Sequence, residues 1–76
     1  MTKNDEQTLR EQEGWKAGFA CARLYHGSQD RAALDYWGGR LLQAFDACAT
    51  RGEVVLIERA YDNGYRVAVQ GLGVQA

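Results

Sequence analysis

The stretch Val54-Val55-Leu56-Ile57-Glu58-Arg59-Ala60-Tyr61-Asp62-Asn63-Gly64-Tyr65-Arg66-Val67-Ala68-Val69-Gln70-Gly71-Leu72-Gly73-Val74 decides the fold, because its period and its middle point in one direction. Val54 to Tyr61 and Tyr65 to Val74 are rich in β-branched and aromatic residues, and Asp62, Asn63 and Gly64 between them form a strong hairpin signal. A three-residue loop with Gly64 in the left-handed position would place Val55, Ile57, Tyr61, Tyr65, Val67 and Val69 on one face. Glu58, Arg66 and Gln70 would then line the other.

Upstream the pattern is helical. Leu34, Trp37, Leu41, Phe45 and Cys48 recur at spacings of three and four, which makes them the core face of a second helix ending near Arg51 and Gly52. A first helix is expected from a capping box at Thr8 and Glu11, with Asn4 and Gln7 as the competing start, to Tyr25 or His26. Gly27 would end it in a left-handed conformation, and Ser28 or Asp30 would cap the next helix. Residues 1–7 form an acidic segment with too little apolar surface to hold itself in place. The expected architecture is therefore α+β: a two-helix hairpin followed by a two-stranded antiparallel β-hairpin, in one domain over residues 8–76.

The composition bounds the function. Seventy-six residues, 46% hydrophobic and 25% charged with no proline, describe one small folding domain. Nine bases against ten acids leave a net charge of −1, so no broad basic field attracts nucleic acid. No apolar stretch reaches the length of a membrane span, and Met1 to Glu13 lacks the pattern of a secretory signal, which makes the cytoplasm the expected compartment. Cys21 and Cys48 are not arranged as C-x-x-C, and His26 is the single histidine, so neither a metal nor another cofactor is expected. Both cysteines read best as small hydrophobes on helix faces.

Catalytic constellations are equally sparse. Cys21 and His26 diverge by about 140° around a helix, as do Asp30 and Asp35. Neither pair has a third partner, and no phosphate-binding, nucleophile-elbow or zinc-protease motif occurs. The chain is read as a non-enzyme. His26 beside Gly27 suits a helix C-terminus better than acid–base chemistry.

Recognition fits the inventory. Seven of the nine bases are arginine, and two Trp and four Tyr accompany them. Tyr36, Arg40 and Gln43 fall opposite the core stripe of the second helix and form the first-choice partner surface; Arg59 and Arg66, near the hairpin tip, form the second. The expected function is protein binding by steric occlusion, as a small inhibitor or adaptor of the kind carried by phages and mobile elements, anti-CRISPR proteins among them. The first helix carries only Lys16 and Arg23 as charges between Gly14 and Tyr25. That excess of apolar surface, together with a two-stranded sheet that is marginal alone, predicts a homodimer pairing the hairpins or the first helices. Gly14 with Gly18 and Gly38 with Gly39 are expected where helices 1 and 2 cross closely, a partner entering there being the alternative.

One resemblance bears on the competing function. Gly14-Trp15-Lys16-Ala17-Gly18-Phe19-Ala20 followed by Trp37-Gly38-Gly39 resembles a little the ribosome modulation factor family. The resemblance covers about half the chain and implies two helices and association with RNA or the ribosome. The sequence departs from that pattern in lacking a Cys-Pro-Tyr element between the helices, in its Trp to Gly-Gly spacing and in its near-neutral charge. Residues 14–76 hold seven bases against six acids, so an RNA surface would require arginines to cluster.

Overall fold

In the computed structural model, which describes residues 3–27 and 30–72, the chain is three α-helices: α1 (Lys3–His26), α2 (Arg31–Asp46) and α3 (Arg51–Leu72). There is no strand among the described residues, so the expected α+β architecture is corrected to a helical bundle. Among the described residues there is no hairpin to mediate self-association. Gly73, Val74 and the capping candidate Ser28 lie outside the described residues.

Two local causes make residues 51–72 helical. The first is a capping box. Thr50 Oγ1 accepts from the Glu53 amide at 3.2 Å, and the Glu53 carboxylate reaches back to the Ala49 amide at 3.1 Å, which satisfies two of the donors that open α3. The second is the environment of Gly64, which lies in mid-helix where a turn was expected. A Cβ there would be driven into the Trp15 carbonyl oxygen, so the glycine serves close helix contact. Asp62 and Asn63 are simply exposed on the same helix.

α3 packs along α1, and the two run parallel. The Gln7 side chain donates to the Glu53 carbonyl at 3.3 Å near their N-termini, while His26 and Tyr65 meet at 3.1 Å towards the other end. Gly14, Gly18 and Ala22 on α1 thus face Ala60, Gly64 and Ala68 on α3, two ladders of small residues at a spacing of four. Side chains this small bring the backbones together, and the contact offsets the poor helix propensity of glycine and the β-branched residues. Because both N-termini sit at one end, Asp5, Glu6 and Glu53 in their first turns meet two positive dipole ends together.

The expected close crossing of helices 1 and 2 at glycines is therefore half right. Gly14 and Gly18 are crossing points, but their partner is α3, and Gly38 and Gly39 meet nothing within 4 Å. α1 begins at Lys3, so Thr8 lies inside it. Asp30 does cap α2, accepting from the Ala33 amide at 3.2 Å. Gly27 follows α1, yet its backbone is not left-handed.

α2 is the return arm, antiparallel to α1 and almost free of α3. Its expected core stripe, Leu34, Trp37, Leu41 and Phe45, is half-buried, and Ala44 is its one fully buried residue. Cys48 is half-buried two residues beyond the helix, with its thiol donating to the Ala44 carbonyl at 3.3 Å. Among the described residues, the sizeable side chains that are fully enclosed are Ile57 and Val69.

Candidate functional site

At the centre of the first predicted surface, Arg40 is paired with a carboxylate of another helix. The Arg40 guanidinium makes two parallel contacts with the Glu13 carboxylate, Nε to Oε2 at 3.0 Å and Nη2 to Oε1 at 2.9 Å. Its Nη1 donates to the Tyr36 hydroxyl at 3.1 Å, and it lies 5.7 Å from the Tyr36 ring centre. Arg40 thus clasps α2 to α1, with its planar fork matched to a carboxylate. Tyr36 is 56% exposed beside it, and Gln43 is exposed one turn further along α2.

The clasp has a pH signature. The hydrogen bond from Arg40 holds the Glu13 carboxyl below its usual value of 4.5, against a smaller opposing effect of burial. The folded form therefore binds this proton less readily than the unfolded form, so the stabilisation is present above pH 4.5 and is lost as pH falls through the lowered folded value. Glu13→Gln should lower the melting temperature at pH 6 and have little effect at pH 3. A wild-type-to-variant gap of equal size at both pH values would contradict the clasp.

Arg59 and Arg66, the second predicted surface, are exposed on α3. Seven residues separate them, which places them about 20° apart on one helix face, with Asp62 and Asn63 between. They are not a cross-strand pair. Since α2 and α3 barely touch, the structure assembles Tyr36, Arg40 and Gln43 as one group and Arg59 with Arg66 as another, without joining them.

A third surface lies on α1, whose apolar excess the sequence showed without singling out its residues. Trp15 and Phe19 stack with ring centres 5.2 Å apart and planes inclined by 14°, and the Arg23 guanidinium lies 5.7 Å from the Phe19 ring centre. This row rises along α1 at a spacing of four. Beside it, Phe19, Arg23, Val67, Ala68 and Gly71 line a shallow cavity of about 310 Å³. Trp15 is 37% exposed and Val67 46%, on the side of α1 turned away from the Glu13 clasp. Aromatics in a small domain are normally spent on its core, which hid the row. Its signal was the adjacency of Trp15 to Gly14 and of Phe19 to Gly18: the glycines mark the buried side, so their neighbours are turned towards its edge.

One polar cluster joins the ends of α1 and α3. His26 Nε2 and the Tyr65 hydroxyl are 3.1 Å apart, and the Tyr65 ring lies 6.2 Å from that of Tyr61. Burial, reinforced by the neighbouring Cys21 thiol, pushes the Tyr61 hydroxyl up to about 12. Among the described residues no three His, Cys, Asp or Glu side chains gather to hold a metal ion, and no helix is long and apolar enough to cross a membrane. No family model, curated protein or solved structure matches this chain.

Proposed function

We propose that this chain is a non-catalytic protein-binding module, and that it occludes a partner's surface through the Trp15, Phe19 and Arg23 row with Val67. The observation that carries this reading is the mismatch between core and surface: two sizeable side chains are enclosed among the described residues, whereas a stacked Trp–Phe pair lies at the surface, its Phe19 lining an open cavity. Trp and Arg are the residue types that most often anchor protein interfaces. Arg23 makes no ion pair among the described residues, so its guanidinium edge is available to a carboxylate. The partner segment that fits offers an apolar side chain to Phe19 and Val67 and an acidic group to Arg23. Arg40, committed to Glu13, acts by holding α2.

The test is recovery of bound protein from nuclease-treated host lysate with the wild-type chain, followed by affinity measurement on whatever is retained in stoichiometric amount. Trp15→Ala and Arg23→Glu should each weaken binding by about tenfold or more while leaving the chain folded by circular dichroism. Affinity should change little between about 50 and 200 mM salt. A catch that nuclease removes, with affinity falling steeply over that salt range, would overturn the reading in favour of RNA binding. Unaltered affinity in both variants would remove the row from the site.

A further inference from the structure

The outer face of α2 lies apart from the Trp15 row. Seen from solvent, α2 presents Ala32, Asp35, Tyr36, Gly39, Leu42, Gln43 and Asp46, all exposed. Tyr36 at 56% and Leu42 at 63% are among the most exposed large apolar side chains of the protein, and they sit three residues to either side of Gly39. Gly39 itself faces open space, with nothing within 4 Å of where its Cβ would be. A glycine in mid-helix costs about 1 kcal/mol relative to alanine, and among the described residues no contact offsets it at Gly39 or at Gly38.

We infer that Gly39 marks a two-fold axis, about which α2 pairs antiparallel with α2 of a second copy. The residues around it are self-complementary under that operation. In such a pairing Asp35 and Tyr36 of one chain lie level with the partner's Leu42 and the partner's Gln43, so the exposed aromatic covers the exposed aliphatic and a carboxylate meets an amide, twice over. At the ends, Arg31 lies beside the partner's Asp46. Arg31, Asp35 and Asp46 make no ion pair among the described residues, so their charges remain for this purpose. With no Cβ at Gly39, the two backbones approach most closely where the axis passes, as they already do at the glycines between α1 and α3.

The pairing uses the outer face of α2 alone. Trp15 and Arg23 on α1 stay outside it, so the dimer would present two copies of the partner row.

Sedimentation equilibrium and multi-angle light scattering on the full chain test this. The expected wild-type result is twice the single-chain mass of 8.5 kDa at micromolar to millimolar concentration. Gly39→Arg should give the single-chain mass with unchanged helical content, since the site is open within each chain. Gly38→Ala, about 100° away around the helix, should remain dimeric. Arg31→Glu should weaken the dimer by about tenfold, and Arg31→Glu with Asp46→Arg should restore it. A single-chain wild-type mass throughout, a dimeric Gly39→Arg, or no rescue by the double charge reversal would each overturn the axis.

Discussion

Gly18→Ala should lose about 3 kcal/mol or more of stability, a large share of the 5–15 kcal/mol that holds a typical domain. At roughly 4–8 °C per kcal/mol for a chain of this size, the melting temperature should fall by about 12 °C or more. The reason is geometric. A methyl group on Gly18 would be driven into the Tyr61 carbonyl, and the obstacle is backbone, which has no rotamer to change. Relief requires α1 and α3 to separate, which withdraws contact along both small-residue ladders at once. Gly64→Ala should do the same from the other side, because its methyl group meets the Trp15 carbonyl. Gly38→Ala is the control: the same change in open space should raise stability by about 1 kcal/mol through helix propensity alone. Thermal unfolding of the three variants decides the matter. Equal melting temperatures for Gly18→Ala and Gly38→Ala would mean that the ladders do not hold the helices together.

The same glycines explain what the sequence made legible and what it did not. α2 was visible through periodicity and through Asp30, a capping residue at the right place, and α1 through the glycine that follows it, although its expected start at Thr8 lies inside the helix. Residues 51–72 were misread because β-branched content and Asp-Asn-Gly are local signals, and a tertiary contact overrides them. The countervailing pattern was present. Ile57, Tyr61, Gly64, Tyr65 and Ala68 recur at spacings of three and four, and Thr50 with Glu53 forms a capping box ahead of them. Ala60, Gly64 and Ala68 repeat the spacing of Gly14, Gly18 and Ala22, but a ladder of small residues has meaning only when its opposite number is known.

The surfaces were legible to a similar degree. Tyr36 and Gln43 were placed correctly on the outer side of α2, because helical angles follow from residue spacing alone. Arg40 was not seen as a clasp, since its carboxylate partner lies 27 residues earlier on another helix. The Trp15 row was not singled out, because composition says how many aromatics a chain has and nothing of which face is already filled. Here the glycine ladder fills the α1–α3 seam with backbone, and the aromatic rings are displaced to its rim.

That displacement leaves Ile57 as one of the few sizeable side chains enclosed among the described residues. It is fully enclosed, and its Cγ2 lies where a Gly14 Cβ would approach to 2.9 Å. Ile57→Ala should cost about 2–5 kcal/mol, near the upper end, because the void opens against a glycine with no side chain to lean into it. Gly14→Ala alone sets the propensity gain of about 1 kcal/mol against contacts at 2.9 Å with Ile57 Cγ2 and 3.0 Å with the Ile57 carbonyl, so its net effect should be small or unfavourable. In the Ile57→Ala background the first of those contacts is gone and the new methyl group enters the void. There Gly14→Ala should stabilise, giving a favourable coupling of about 1 kcal/mol in a double-mutant cycle. Chemical denaturation of the four proteins measures it. Simple additivity would show that the Ile57 side chain and the Gly14 hollow are not a matched pair, and that the α1–α3 seam draws its stability from elsewhere along the ladders.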